Sequence, residues 1–421
     1  MAILSPLIIN NEPMRAPALP LTTKHGVWPV RVVAFTLFLI TGAVNLQAPL
    51  YATYARASHM GTGAQTLAFA CYVAGLVPTL MFLGGLSDRV GRKLPLIAAL
   101  LLTATATSLP MIWPRLEAVA VARGLCGIAT GLMAGSGTQF LVELIGSRPD
   151  ATARAARIVA AATSLGFGCG SLATGLCILA APTQKTPATY GAYLFVVACG
   201  LTLLGRVSGP MFTRSSAWLR IPVFPRKALV YSLAILIAWS AAGVVIALVP
   251  TALASYGHEV WTGFSTFFVI STGLVVQPLA RKLPPVRSMC LGMLLVPIGF
   301  TVLVAGLVGS SLPLLLIGAM LTGSACYGFI YLAGLAAIST SSTDANRARA
   351  SSGYFLFAYF GFSVPVIASG ALAERVGVRS TLVLFDGALF LATILLAVLM
   401  LLQARRKMVS SCSAPARPRG V

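Results

Sequence analysis

The sequence predicts an all-α polytopic membrane protein that crosses the bilayer twelve times. Of its 421 residues, 57% are hydrophobic and only 9% are charged, whereas a soluble domain is about half apolar and about a quarter charged. The apolar residues form blocks of about twenty, the length that crosses a bilayer as a helix. Because a chain inside lipid must satisfy its own backbone hydrogen bonds, each block is expected to be helical.

The apolar blocks are separated by short polar or basic segments. The predicted spans lie near residues 31–54, 64–84, 94–113, 117–143, 156–180, 190–210, 228–252, 261–280, 288–309, 312–338, 351–371 and 380–402. The longest internal break divides them into six and six. This predicts an N-terminal tail (1–30), a first six-helix bundle (31–210), a linker (211–227), a second six-helix bundle (228–402) and a basic tail (403–421).

The linker mixes cations with apolar residues in the sequence MFTRSSAWLRIPVFPRK. Such a segment can lie on a membrane surface with its apolar side down and its cations among the headgroups. A simple basic connection explains the same composition, and both alternatives stay open.

The distribution of Lys and Arg predicts the orientation. An even number of spans puts both termini on one side, and that side carries 24 of the 30 Lys and Arg residues, against 5 on the other and Arg123 inside a span. By the positive-inside rule both termini are expected in the cytoplasm, with the chain in the inner (plasma) membrane. The same asymmetry accounts for the net charge of +21 without a nucleic-acid partner.

The eight cysteines indicate neither a disulfide framework nor a metal site. Seven lie within apolar blocks, and no CxxC pair is present. Small buried thiols are the expected reading. No cofactor is expected.

A short internal repeat indicates pseudo-symmetry. The stretch GGLSDRVGRK at 84–93 aligns without gaps to GALAERVGVR at 370–379. The first follows span 2 and the second follows span 11, so the two are expected on opposite faces. Inverted three-helix repeats leave this kind of trace, as they do in transporters whose substrate sites lie near the membrane midplane.

With this motif and its twelve predicted spans, the chain resembles the major facilitator superfamily (MFS) of transporters. GGLSDRVGRK is similar to the family's loop 2–3 signature, Gly-x-Leu-x-Asp-Arg-x-Gly-Arg-Lys, at nearly every position. The resemblance covers about residues 30–402 and implies two bundles that alternate access to a central site. It also implies that a cluster at the cytoplasmic side latches the bundles when the carrier faces outward. The residues that match this cluster are Gly84, Asp88, Arg89, Gly91, Arg92 and Glu143.

Elementary chemistry fits the roles that the resemblance implies. A sharp turn favours glycine, and Asp88 can accept hydrogen bonds from the N-terminus of a neighbouring helix, where negative charge is stabilised. Arg89 and Arg92 can pair with Asp88 or with Glu143 at the end of span 4. Positive-inside topology alone would explain the cations but not Asp88 or the glycines.

Spans 4 and 5 resemble those of the twelve-span drug/proton antiporters. In span 4, Arg123 and Gly127 match an Arg-x-x-x-Gly motif, although Cys126 replaces the usual Gln. In span 5, LGFGCGSLATG matches a glycine-rich motif but has Ser171 where proline is usual. Close helix packing explains the glycines equally well.

Arg123 lies about two turns inside span 4. An arginine near the bilayer centre costs roughly 2.5–3.5 kcal/mol on insertion scales, so a polar interior and a functional role are expected. The alternative is that the side chain snorkels to the outer surface, since Glu117 is only six residues away.

The resemblance implies that spans 1, 4, 7 and 10 line the central cavity. Candidate contacts for substrate or coupling on these spans are Asn45, Gln47, Arg123, Gln139, Trp239, Tyr327 and Tyr331. Aromatic rings with a few hydrogen-bonding groups suit an amphipathic organic molecule. Each residue alone is equally explained by packing.

The groups that could carry a proton are few. Span 1 has no acid, the three histidines lie outside the spans, and Asp386 in span 12 is the only carboxylate well inside one. Span 12 is peripheral in the family, so Asp386 can also be a structural acid. Arg123 and Glu143 are the other candidates for coupling.

The sequence therefore predicts a monomeric secondary transporter that exports a small organic molecule in exchange for protons. A proton-coupled uptake symporter or a facilitator uses the same scaffold, and a non-transporting sensor is a further alternative. An enzyme is not expected, because the spans contain neither a metal-binding His pair nor paired acids. No Walker A motif is present, so ATP is not the expected energy source.

Overall fold

The computed structural model of the protein describes residues 27–83, 86–146, 150–181, 187–208, 222–225, 228–343 and 346–412. Within these ranges the side chains of residues 88, 347, 348 and 403–412 are not described. Every element of the described chain is helical.

Twelve helices are long and apolar enough to cross a membrane, which confirms the predicted fold class. They are α1 (Val27–Ala57), α2 (Thr62–Phe82), α3 (Lys93–Ile112), α4 (Leu116–Ile145), α5 (Ala151–Ala180), α6 (Ala188–Gly205), α7 (Leu229–Ser255), α8 (Glu259–Ala280), α9 (Pro285–Val308), α10 (Leu312–Ser341), α11 (Arg347–Val376) and α12 (Val378–Cys412).

The helix ends differ by a few residues from the predicted ones. The helix α6 ends at Gly205 rather than near 210, and α5 begins at Ala151 rather than near 156. A helix of 30 residues is about 45 Å long and exceeds the roughly 30 Å hydrocarbon layer. Polar residues can therefore continue a helix beyond its apolar block, and hydrophobicity alone does not locate the end.

The helices pack as two groups that follow the chain. In the first, α2 lies against α4, α1 against α5, and α3 against α4; in the second, α9 lies against α10, and α7 against α11. The pairs α2–α11 and α5–α8 make the most extensive contacts between the groups. We call the end of the molecule at which Val27 lies the terminal end and the other the distal end.

The helix α1 is interrupted near its middle. Regular helix ends at Leu46, a 3₁₀ turn covers Ala48–Leu50, and a short helix, Tyr51–Ala57, completes the span. Pro49 explains the break, since it has no N–H to donate to the preceding turn. A break of this kind leaves carbonyl groups without an intrahelical partner.

The helix α10 of the second group is also irregular. Residues Ser324–Ile330 form a π-helix between two α-helical segments, Leu312–Gly323 and Tyr331–Ser341. Its carbonyls accept hydrogen bonds from neighbouring helices: Gln277 Nε2 donates to Tyr327 O at 3.4 Å and Ser288 Oγ to Phe329 O at 3.0 Å. Such bulges are frequently found at functional sites.

The two copies of the internal repeat share one turn geometry. Gly91 has φ 86° and ψ 163°, and Gly377 has φ 82° and ψ 156°. Positive φ is a conformation that residues with a side chain rarely adopt. The two turns lie at opposite ends of the molecule, as inverted three-helix repeats require.

The linker residues 222–225 pack on the terminal end of α11. The Val223 N–H donates to Arg349 O at 3.1 Å, and the Phe224 ring meets the Phe357 ring edge-on at 5.8 Å. This part of the linker is therefore bound to the second group. The rest of the predicted amphipathic segment, 209–221 and 226–227, lies outside the described residues.

Glycines allow α2 and α4 to approach closely. A Cβ atom at Gly127 would overlap Tyr72 O and come within 2.9 Å of Leu76 N, both of which are backbone atoms of α2. A Cβ atom at Gly131 would lie 2.7 Å from the Thr79 side chain. These contacts confirm that one face of span 4 is a packing face.

Gly127→Ala is expected to lower the stability of the protein by about 1–3 kcal/mol, the usual cost of overpacking, because the new methyl group would meet rigid backbone. Thermal unfolding of the detergent-solubilised protein, followed by intrinsic fluorescence, measures the change. Gly387→Ala is the matched control, since that helical glycine has open space around it. Equal melting temperatures for the two variants would show that the close approach of α2 and α4 is not required.

Candidate functional site

Arg123 lies in the interior of the first group and is fully buried. Its Nη1 donates to Val44 O at 2.7 Å, and its Nη2 and Nε donate to Phe69 O at 3.2 and 3.3 Å. The guanidinium carbon lies 4.6 Å from the centre of the Phe69 ring and 4.9 Å from that of Tyr72. The side chain thus joins α4 to α1 and α2 by hydrogen bonds and by cation–π contacts.

These contacts explain how a charge is tolerated at this depth. Val44 O lies just before the break in α1, so the arginine supplies the donor that the interrupted helix lacks. The alternative, in which Arg123 snorkels to the outer surface, is excluded because the side chain is enclosed by α1, α2 and α4. The expected polar surroundings consist of backbone carbonyls rather than an acid.

Asn45 and Gln47 also tie the broken segment of α1 to its neighbours. Asn45 Nδ2 donates to Phe167 O of α5 at 3.0 Å, and Gln47 Nε2 donates to Ala106 O of α3 at 3.1 Å. Both side chains are buried, although Gln47 Oε1 has no hydrogen-bond partner. Both residues lie beside Val44 on α1, whose carbonyl accepts the hydrogen bond from Arg123.

An aromatic cluster lies in the second group, and it contains Trp239 and Tyr327. The Trp239 ring lies 5.5 Å from Tyr327, 5.5 Å from Tyr359 and 5.8 Å from Phe362. Offset and edge-on pairs at such distances are favourable. Trp239, Tyr327 and Tyr359 are half-buried, and Trp239 Nε1 has no hydrogen-bond partner.

The aromatic contacts extend in two directions. Phe362 meets Phe69 of α2 at 5.0 Å, which connects the cluster across the two groups to the Arg123 region. Towards the terminal end, Tyr359 stacks on Phe355 at 6.3 Å, and Phe355 meets Tyr331 at 6.2 Å. Tyr359 and Phe355 are therefore partly exposed members of this cluster.

The cluster predicted at loop 2–3 is described in part. Arg92 Nε lies 3.1 Å from Glu143 Oε1, and Arg92 Nη1 donates to Ser87 Oγ at 2.8 Å. Arg89 is exposed. Gly84 and the side chain of Asp88 lie outside the described residues. The structure thus brings Arg92 and Glu143 together, as expected, at the terminal end.

Two further candidates lie apart from these regions. Gln139 is exposed near the terminal end of α4. Asp386 of α12 accepts hydrogen bonds from Thr301 of α9 at 2.9 and 3.1 Å. This carboxylate is therefore anchored between two helices of the second group, away from the aromatic cluster.

The distal end holds the two groups together through polar contacts. Arg56 Nη2 lies 2.6 Å from Glu259 Oε1, which joins α1 to α8. Gln65 Nε2 donates to Thr251 Oγ1 at 2.8 Å and to Ala247 O at 2.9 Å, which joins α2 to α7. The Gly63 N–H donates to Glu374 Oε1 at 2.8 Å, which joins α2 to α11. Small residues bring α5 and α8 together, with Gly175 beside Gly263.

A family model describing the Major Facilitator Superfamily matches residues 33–273. The chain belongs to this family. The match covers more than half of the sequence and includes α1 to α7 with the loop 2–3 signature. Among curated proteins none matches the sequence significantly.

Solved transporter structures share the fold along nearly the whole chain. The nucleoside transporter NupG has a TM-score of 0.73 at 12% identity, covering 88% of this chain and 98% of its own. A POT family transporter in complex with 5-aminolevulinic acid has a TM-score of 0.68 at 11% identity, covering 88% and 95%. A bacterial homologue of the human lysosomal transporter Spinster, inward-facing and unoccupied, has a TM-score of 0.68 at 11% identity, covering 93% and 99%. Identities this low establish the fold alone.

Sequence reasoning missed several contacts of this MFS chain. Lys93 Nζ donates to Gly205 O at 2.6 Å and to Val207 O at 3.0 Å, so it caps the end of α6, where a cation is favoured. Glu374 aligns with Asp88 in the internal repeat, but the sequence does not indicate its partner. The pairing of Phe69 with Phe362 depends on how the two groups meet, which no local pattern encodes.

Arg123→Lys is expected to lower both stability and transport. A lysine keeps the charge but cannot bind two separate carbonyls and stack on two rings at once. Carbonyls that lose a buried donor cost about 1–3 kcal/mol each. Thermal unfolding and uptake into vesicles are the measurements, with Arg154→Lys at an exposed position of α5 as the control. Retention of wild-type stability by Arg123→Lys would show that the contacts of Arg123 with α1 and α2 do not stabilise the protein.

Proposed function

We propose that this chain exports a small organic molecule from the cytoplasm by alternating access, in exchange for protons, as a member of the drug/proton antiporter branch. The observation that carries the proposal is the aromatic cluster around Trp239. It lies in the second group, where Phe362 meets Phe69 of the first group, beneath the distal contacts that hold the two groups together.

The distribution of Lys and Arg supports the proposed orientation. On this proposal the terminal end faces the cytoplasm, because 24 of the 30 basic residues lie on that side. The distal contacts between α1 and α8, α2 and α7, and α2 and α11 would then close the outer side. The described conformation would be the inward-facing state of the cycle.

The aromatic cluster supports a substrate with a flat aromatic part. Trp239, Tyr327, Tyr331 and Tyr359 present partly exposed ring surfaces from α7, α10 and α11. A ring of the substrate would stack on these surfaces. The Trp239 indole N–H is shielded and has no hydrogen-bond partner, so a substrate acceptor would bind it only once the rings around it move apart. Sites for organic ligands typically combine apolar walls with a few polar groups.

Glu143 is the proposed proton carrier. Its Oε1 faces Arg92, whereas its Oε2 is shielded and has no hydrogen-bond partner. Protonation would weaken the pair with Arg92 and so couple proton binding to the loop 2–3 cluster. Asp386 is the rival carboxylate, but its hydrogen bonds to Thr301 place it between peripheral helices.

Trp239→Ala is expected to raise the KM for an aromatic substrate about 2- to 10-fold, the range that a lost aromatic pair gives. Efflux is measured in inverted vesicles with a panel of fluorescent aromatic molecules, cationic, neutral and anionic. Trp113→Ala, at an exposed distal position, is the control. An unchanged KM for every transported molecule would show that the aromatic cluster is not part of the substrate-binding site.

Glu143→Gln is expected to abolish transport driven by a pH gradient while leaving downhill exchange of substrate. A pH-sensitive dye in proteoliposomes reports proton movement when substrate is added, and Asp386→Asn is the matched comparison. Loss of coupling in Asp386→Asn alone would assign the proton to α12. Substrate movement without any proton movement in the wild type would favour the facilitator.

A further inference from the structure

The carboxylate of Glu374, at the distal end of α11, binds the N-terminus of α2. The Gly63 N–H donates to Glu374 Oε1 at 2.8 Å, and α2 begins at Thr62. The first N–H groups of a helix have no partner within the helix, and the helix dipole makes this end attractive to an anion. The contact joins residues 311 positions apart, one in each group of helices.

The sequence around the contact leaves room for the carboxylate. A Cβ atom at Gly63 would lie 2.9 Å from Glu374 Oε1, and a Cβ atom at Gly61 would overlap the same oxygen. One turn further along α2, Thr66 is fully buried, and a Cβ atom at Gly370 of α11 would overlap its side chain. Gly370 therefore permits an approach of α11 to α2 that a side chain would prevent, and Gly61 and Gly63 leave space for the end of the Glu374 side chain.

The internal repeat places Glu374 in a defined position. It aligns with Asp88, and each carboxylate lies three residues before the glycine of its turn, Gly91 or Gly377. These two glycines adopt nearly the same φ and ψ. The repeat thus places an acidic residue at each end of the molecule, Asp88 after α2 at the terminal end and Glu374 in the last turn of α11 at the distal end.

We propose that Glu374 is the latch of the distal side, which closes when its carboxylate binds the N-terminus of α2 and opens when it leaves. The inference rests on the alternating access proposed above. It makes the repeat at 370–379 the distal counterpart of the loop 2–3 cluster. Release requires no bond within either group to break, since the contact lies entirely between α11 and α2.

The strength of the contact suits a reversible latch. Glu374 is exposed, so water can replace the Gly63 N–H when the helices separate. An anion at an exposed helix N-terminus shifts an equilibrium only about two- to fivefold. Such a bias favours the closed distal side without trapping it. The ion pair between Arg56 and Glu259 is likewise exposed and joins different helices, α1 and α8.

The test measures opening of the distal side directly. A Thr66→Cys reporter places a thiol where the interface is fully buried, and a membrane-impermeant maleimide labels it only when α2 and α11 separate. The parent chain without the reporter gives the background from native cysteines. Glu374→Gln, which keeps the shape and removes the charge, is expected to raise the labelling rate about two- to fivefold.

Glu117→Gln is the matched control. This acid is also at the distal end, but it binds Ser58 and Arg115 within the first group, so its loss is expected to leave labelling unchanged. Gly63→Ala is the second variant, because its methyl group displaces the carboxylate while keeping the charge. It is expected to raise the labelling rate as Glu374→Gln does. If Glu374→Gln does not fold, the labelling rate of Gly63→Ala tests the latch.

Unchanged labelling in Glu374→Gln, or an equal rise in Glu117→Gln, would overturn the latch. A rise in Glu374→Gln without one in Gly63→Ala would also overturn it, since the charge would then act elsewhere. The measurement uses no substrate, so its outcome is independent of the export assay. Failure of transport in the wild type would remove the proposed function and leave the labelling result standing.

Discussion

The satisfaction of backbone hydrogen bonds inside lipid is the constraint on which the rest of this structure depends. In α1, the break at Leu46 leaves carbonyls that water cannot reach, and side chains from other helices supply the missing donors. Arg123 of α4 donates to Val44 O, and Thr174 of α5 donates to Leu46 O at 2.7 Å. The broken helix therefore connects α4 and α5 at the centre of the first group. In this structure the buried guanidinium of Arg123 acts as such a donor.

The π-helical segment of α10 is stabilised in the same way. Gln277 of α8, Ser288 of α9 and Tyr354 of α11 all donate to carbonyls of the segment or of the residue after it. The irregular turn places Tyr327 against Trp239, and Cys326 Sγ against Ala238 O at 3.0 Å. Each group thus has one interrupted helix, held by polar side chains of its neighbours. The candidate site residues Arg123 and Tyr327 thus lie beside or within irregular backbone, the 3₁₀ turn of α1 and the π-helical segment of α10.

How much of this follows from sequence depends on the range of the interaction. Blocks of apolar residues predict all twelve helices, and Pro49 marks the break in α1, because both signals are local. The burial of Arg123 is predictable from its position, but its partners are not, since a carbonyl carries no residue-specific signal. No residue pattern in the sequence distinguishes the π-helical segment Ser324–Ile330 from an ordinary α-helix. The repeat singles out Glu374, whereas its partner Gly63 emerges only when the two groups of helices are assembled.

One pair of helices, α2 and α11, carries both the distal contact and the link between the groups at the aromatic cluster. Gly63, Thr66 and Phe69 follow one another along α2, and Glu374, Gly370 and Phe362 face them along α11. The twelve positions from Phe362 to Glu374 correspond to roughly 18 Å of helix. Both segments are helical between these contacts, with Pro365 inside that of α11. A movement of the whole of α11 that parts Gly63 from Glu374 would therefore also part Phe69 from Phe362. Opening the distal end would then expose the Phe362 ring, which packs on Trp239 at 5.8 Å, so the aromatic surface accessible to a substrate would extend towards the distal end.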